Sequence, residues 1–256
     1  MLTLTTGQLT ALIADYLLPF VRIGACLMVA PVFGAVFVPA RIRLVLALAI
    51  TVIVAPLVSS PAVDLLSAST VLLIAEQLLI GVTIGFALQV VFDAVGLGGQ
   101  LLANTSGLSF AFNMDPVRGV STPVLGQLYT LIVVLTFLAL DGHLALVELL
   151  ARGLQTLPPG AGGLGTDELW TLAIWTGRVI SGSLMVALPG MTAMLVANLA
   201  FGVMSRAAPT LNLFAVGFPV TLAFGLAVVL LGLPAVQSGF ITLLGEASAV
   251  LAGFTH

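Results

Sequence analysis

The stretch LLSASTVLLIAEQLLIGVTIGFALQVVFDAVGLGGQLLAN, Leu65 to Asn104, decides the fold class. It follows Asp64, a residue type suited to a helix N-cap, and no proline interrupts the chain until Pro116. A bilayer span takes about 20 apolar helical residues, so the run exceeds one perpendicular crossing. Its polar residues are not scattered. At about 100° per residue, Gln89, Asp93, Gln100 and Asn104 fall within an arc of about 60°, with Gly85 and Gly96 beside them. A polar, small-residue stripe on an apolar helix either lines a wet channel or forms a close seam with another helix. Gly81 and Gly85 add a small-xxx-small pair, a weak signal in a chain with 27 glycines.

Five further apolar segments flank this one. The first runs from about Leu9 to Val32 and the second from Ile42 to Val58, separated by Pro31, Gly34 and Pro39 and closed at Ser59, Ser60 and Pro61. The fourth runs from Pro123 to about Leu154 and stops at Leu157-Pro158-Pro159-Gly160, the clearest loop in the chain. The fifth opens on Asp167 and Glu168, acids that suit a helix N-terminus, and continues to Val203 with a kink expected at Pro189-Gly190. The sixth runs from Leu211 to near the end, interrupted by Pro219 and Pro234, so segments five and six are each expected as two half-helices bent into hairpins. The expected class is all-α: a polytopic membrane-type chain of about six long hydrophobic helices.

Composition agrees. Of 256 residues 60% are hydrophobic and 7% charged, and the mean hydropathy is +1.26, too apolar for a water-facing surface. Seven arginines, no lysine and ten acids give a net charge of −3, too small and too scattered to suggest nucleic acid or an acidic substrate. Cys26 is the single cysteine, so no internal disulfide or thiolate cluster can form. Met1 to Gln8 lacks a basic n-region, and no signal peptide is expected. Arg41, Arg43, Arg118 and Arg206 fall in the odd-numbered connections, which the positive-inside rule places in the cytoplasm, with both termini outside.

A charge at mid-bilayer costs about 2.5–3.5 kcal/mol on insertion scales, so Arg22, Glu76, Asp93, Asp141, His143, Glu148 and Arg178 each need protein, water or an interface to face. Between segments three and four, Leu108, Phe110, Phe112 and Met114 are apolar although Gly107, Pro116 and Gly119 break helix. Such a loop wants burial, either packed in a core or plugging a pore. Asp141 and His143 are two apart and point to different helical faces; no hydrolase, P-loop or metal-binding spacing occurs. No enzyme, cofactor or metal site is expected. Broken, charged helices leave open a secondary transporter for a small solute, but no inverted repeat is visible.

Several blocks carry a resemblance: Leu108-Ser109-Phe110-Ala111-Phe112 leading to Asp115-Pro116, Pro123-Val124-Leu125-Gly126, Leu140-Asp141-Gly142-His143, Asn198-Leu199-Ala200-Phe201-Gly202, Ser205-Arg206, Ala208-Pro209, Leu211-Asn212-Leu213-Phe214 and Val216-Gly217-Phe218-Pro219. In order and spacing, over essentially the whole chain, they resemble the FliR family of flagellar export proteins. Asparagine usually precedes the glycine-histidine pair in that family, and here Asp141 stands there. The resemblance implies a non-enzymatic, pore-forming subunit of the type III export gate in the bacterial inner membrane, at the flagellar basal body. Its implied partners are FliP-like and FliQ-like subunits, an FlhB-like switch protein and unfolded export substrates. It also implies a FliP-like half, 1–160, and a FliQ-like helical hairpin half, 161–256. The loop near 105–122, with Leu108, Phe110, Phe112 and Met114, would enter and seal the pore, and the turn at Ser205, Arg206 and Pro209 is expected to meet the FlhB-like partner. A virulence injectisome subunit would share fold and mechanism and differ in cargo.

Overall fold

The computed structural model describes residues 6–58, 67–108, 112–114, 121–207 and 213–254. Eight helices occur among them: α1 (Thr6–Val29), α2 (Ala40–Val54, continued by a 3-10 turn Ala55–Leu57), α3 (Ala68–Thr105), α4 (Val124–Ala139), α5 (Gly142–Thr156), α6 (Thr166–Thr176), α7 (Arg178–Ala207) and α8 (Leu213–Gly253). Between α3 and α4 two three-residue strands, β1 (Phe112–Met114) and β2 (Ser121–Pro123), pair antiparallel with Asn113 opposite Thr122. The all-α class stands. Four helical stretches among the described residues are long and apolar enough to cross a membrane, Ala40–Leu57, Ala68–Thr105, Thr166–Ala207 and Pro219–Gly253, and the bent pair α4–α5 makes a fifth. The count is therefore four to five rather than about six.

Pro31, Pro39 and Pro158 stand at helix ends as expected, whereas the prolines inside α7 and α8 do not end them. α8 runs 41 residues through both Pro219 and Pro234, and α7 runs through Pro189. A helical proline loses one hydrogen bond and crowds the preceding turn, which kinks a helix without having to end it when neighbours support the freed carbonyl. The sharp bend, 65°, lies between α4 and α5, where Asp141 takes the left-handed conformation at φ 55°. Gly142 follows because a Cβ there would overlap the Phe137 ring.

The chain divides into two compact units. The first comprises Met1–Gln89, Phe137–Thr176 and Glu246–His256. In it α1 and α2 form a hairpin whose turn is fastened by Arg43, with Nη2 donating to the carbonyls of Ala35 (2.6 Å) and Val38 (2.8 Å). α3 runs parallel to α1: Gly81 lies on the Arg22 carbonyl, and a Cβ at Gly85 would be 2.7 Å from the Cys26 carbonyl and 2.9 Å from the Ala30 nitrogen. Gln77 and Gly81 thus face Arg22 and Ala25, and Gly85 one turn on faces Cys26 and Ala30, a seam that only small side chains allow at the glycines. Trp175 of α6 is buried and donates its indole N–H to the Ala87 carbonyl at 3.0 Å.

The second unit comprises Val90–Thr136 and Gly177–Gly245. α7 runs parallel to α3, with Gly182 over Ala94, Gly98 over Ser183 and Gly190 over Leu102. α8 returns antiparallel, bringing Leu243 to Gly182, Val228 to Gly190 and Met194 to Gly225. Phe92 and Phe240 meet edge to face, centroids 5.4 Å apart, a geometry aromatic quadrupoles favour.

Candidate functional site

On α3 the stripe residues Gln89, Asp93 and Gln100 are half-buried and Asn104 is exposed. Gln89 and Asp93 are each engaged by other residues. Gln100 lies across Gly126 of α4, where a Cβ would stand 2.7 Å from its Cγ and 3.2 Å from the Gly96 carbonyl. Gly99 sits on the other side of the same crossing, 2.8 Å by a built Cβ from the Leu125 carbonyl and 2.9 Å from Gly126 Cα. Gly96 and Gln100 of the stripe, and Gly99 beside it, thus pack closely on α4. The sequence gives no sign that α4 lies across Gln100.

The loop beyond α3 leaves the helix through Gly107 at φ 72°, a left-handed position that suits glycine. Leu108 is half-buried. The backbone of Phe112 and Met114 lies in β1, whereas Phe110 lies outside the described residues. At the end of α7, Arg206 is exposed and occupies the last turn, where a cation suits the negative end of the helix dipole. Ser205 donates its hydroxyl to the Gly202 carbonyl at 2.7 Å, and Pro209 lies outside the described residues.

Asp141 is exposed, and His143 is half-buried in the first turn of α5 with its Nδ1 buried and unbonded among the described residues. They do not converge on a reacting centre. An open groove of about 310 Å³ in the second unit runs beside Pro189 and Gly190, lined by apolar residues such as Leu102, Val228 and Val236. Tyr129 alone among its lining residues is titratable, so the groove suits apolar side chains better than a polar solute.

Long helices with apolar outer faces, joined by glycine seams, define a polytopic helical protein of membrane type. Its residues 13–247 match the bacterial export proteins, family 1. The chain is 37% identical over 234 residues to flagellar biosynthetic protein FliR of Pectobacterium carotovorum subsp. carotovorum, covering 91% of this chain and 90% of that protein. It is 36% identical to flagellar biosynthetic protein FliR of Escherichia coli (strain K12), covering 88% and 87%, and 30% identical to that of Aquifex aeolicus (strain VF5), covering 85% and 84%. The chain belongs to the bacterial export proteins, family 1, and within them to the FliR family of flagellar biosynthetic proteins.

Proposed function

We propose that this chain is a structural, pore-forming subunit of the flagellar type III export gate. It assembles with FliP-like and FliQ-like subunits in the bacterial inner membrane, at the flagellar basal body, and passes unfolded flagellar proteins outward, with an FlhB-like switch protein at the closed end. The observation that carries this reading is the length and outer face of the helices. At ~1.5 Å per residue the 38 residues of α3 extend about 57 Å and the 41 of α8 about 61 Å, roughly twice a ~30 Å hydrocarbon layer. Yet only 17% of the most apolar stretch of α8 is buried within the chain, and Leu231 is 83% exposed. Apolar surface beyond the reach of lipid needs protein neighbours. The antiparallel packing of α7 and α8 supports the FliQ-like hairpin reading of 161–256, beside a FliP-like half at 1–160. A small-solute transporter has less support, because α7 and α8 run unbroken through their prolines and the groove beside them is apolar.

Disrupting the gene is expected to abolish both swimming and flagellin secretion; normal swimming would overturn the reading. For the turn at Ser205 and Arg206, a photo-crosslinker at position 205 is expected to label the FlhB-like protein. Labelling confined to FliP-like or FliQ-like chains would refute that contact.

A further inference from the structure

Arg22 is a cation in the middle of an apolar helix, and its side chain is 1% exposed. Its guanidinium spreads three donors over two other elements. Nε donates to Gln77 Oε1 of α3 at 2.7 Å, Nη1 to the Gly153 carbonyl at 3.0 Å and Nη2 to the Leu157 carbonyl at 2.9 Å. The two carbonyls mark the end of α5, whose last residue is Thr156. The final four carbonyls of a helix have no partner within it, and the dipole makes that end negative. α5 has no basic residue in its last turn, so α1 supplies the cation from outside. An ammonium carries the charge but not the planar fork that serves separated acceptors at once.

The network continues into the loop. Gln77 is fully buried, and its Nε2 stands 3.5 Å from Glu76 Oε1. The stem of Glu76 lies against Gly163, where a Cβ would be 2.8 Å from Glu76 Cγ. The connection from Leu157 to Gly165 is therefore held at its start by Arg22 and along its course by Glu76. On the reading given under Proposed function, this connection joins the FliP-like half to the FliQ-like half.

We infer that Arg22, with Gln77 and Glu76, is a positioning residue: it clamps the linker between the two halves and fixes the path of that linker over the end of α5. Removing the guanidinium frees the linker, whereas the α1–α3 seam keeps its glycine contacts at Gly81 and Gly85, which gives the clamp a distinct signature.

Spin labels at Leu72→Cys and Ala161→Cys would report the linker, and labels at Ile53→Cys and Leu72→Cys the α2–α3 frame. All three positions are exposed, and Cys26 is fully buried and can stay. In the complex assembled with cysteine-free partners, Arg22→Leu is expected to broaden the 72–161 distance distribution about twofold while 53–72 stays narrow. Arg22→Lys, which keeps the charge and folds more readily, is expected to broaden 72–161 less. An unchanged 72–161 distribution in both variants, or equal broadening of both pairs, would overturn the clamp. Because the readout is a distance and not secretion, it fails separately from the export-gate reading.

Discussion

Gly81→Val is expected to empty the membrane of this chain and, with it, to stop swimming. The Gly81 backbone rests on the Arg22 carbonyl, and a built Cβ overlaps that oxygen while standing 2.9 Å from the Ala25 Cβ and 3.0 Å from the Arg22 carbonyl carbon. Every obstructing atom is backbone or Cβ, so no rotamer change relieves the clash, and α1 and α3 must separate. Overpacking of a core typically costs about 1–3 kcal/mol where side chains can yield, so a backbone clash lies at the upper end or beyond. Separation would also pull Gln77 from Arg22 one turn away, leaving a buried guanidinium short of an acceptor; losing a hydrogen bond to a charged group costs about 1.5–3 kcal/mol. The two together approach the lower end of the stability of a typical domain, about 5–15 kcal/mol. Immunoblots of membranes and swimming halos read the result. Gly232→Ala is the control: a Cβ there meets nothing within 4 Å, and alanine favours helix by about 0.5–1 kcal/mol. Wild-type levels and motility in Gly81→Val would refute the seam.

The same position shows why part of this fold was readable and part was not. Apolar run lengths were enough to place the helices in order, because membrane-type burial leaves a coarse signal over 20 residues or more. The Gly81–Gly85 pair carried little weight on its own. What sets the pair apart is the α1 backbone opposite, Arg22 at Gly81 and Cys26 and Ala30 at Gly85, and sequence does not display a partner. Arg22 and Glu76 were visible as costs without visible solutions. Two of Arg22's acceptors are main-chain carbonyls 131 and 135 residues away, and any residue type supplies a carbonyl. Proline was overweighted in α8, where the helix continues. The bend that does occur had its own signal, the Asp141-Gly142 pair, a turn dipeptide. β1 and β2 escaped notice because three residues are too few for an alternation to register.

Deleting Ser109 to Gly119 is expected to leave the assembly intact and make the closed gate conduct ions. Assembly is expected to survive because the Gly99–Gly126 crossing, with the Gln100 stem packed over it, holds α3 and α4 together. Removing these residues takes away β1 and leaves residues 106–108 and 120–123, which extended reach about 23 Å, enough to rejoin helices already in backbone contact. Closure is a different matter. Leu108, Phe110, Phe112 and Met114 place four apolar side chains within seven residues, and apolar rings in a narrow constriction exclude ions by expelling water. On the reading proposed above, a threading polypeptide would push such a barrier aside. The paired substitution Phe110→Ser and Phe112→Ser tests the same barrier with the backbone complete, and is expected to leak less than the deletion because Leu108 and Met114 remain. Conductance of reconstituted complexes in planar bilayers reads both variants, and co-purification of the partner subunits reads assembly. Complexes that assemble and still hold back ions would assign the apolar loop to packing, and the seal would have to be sought on another element.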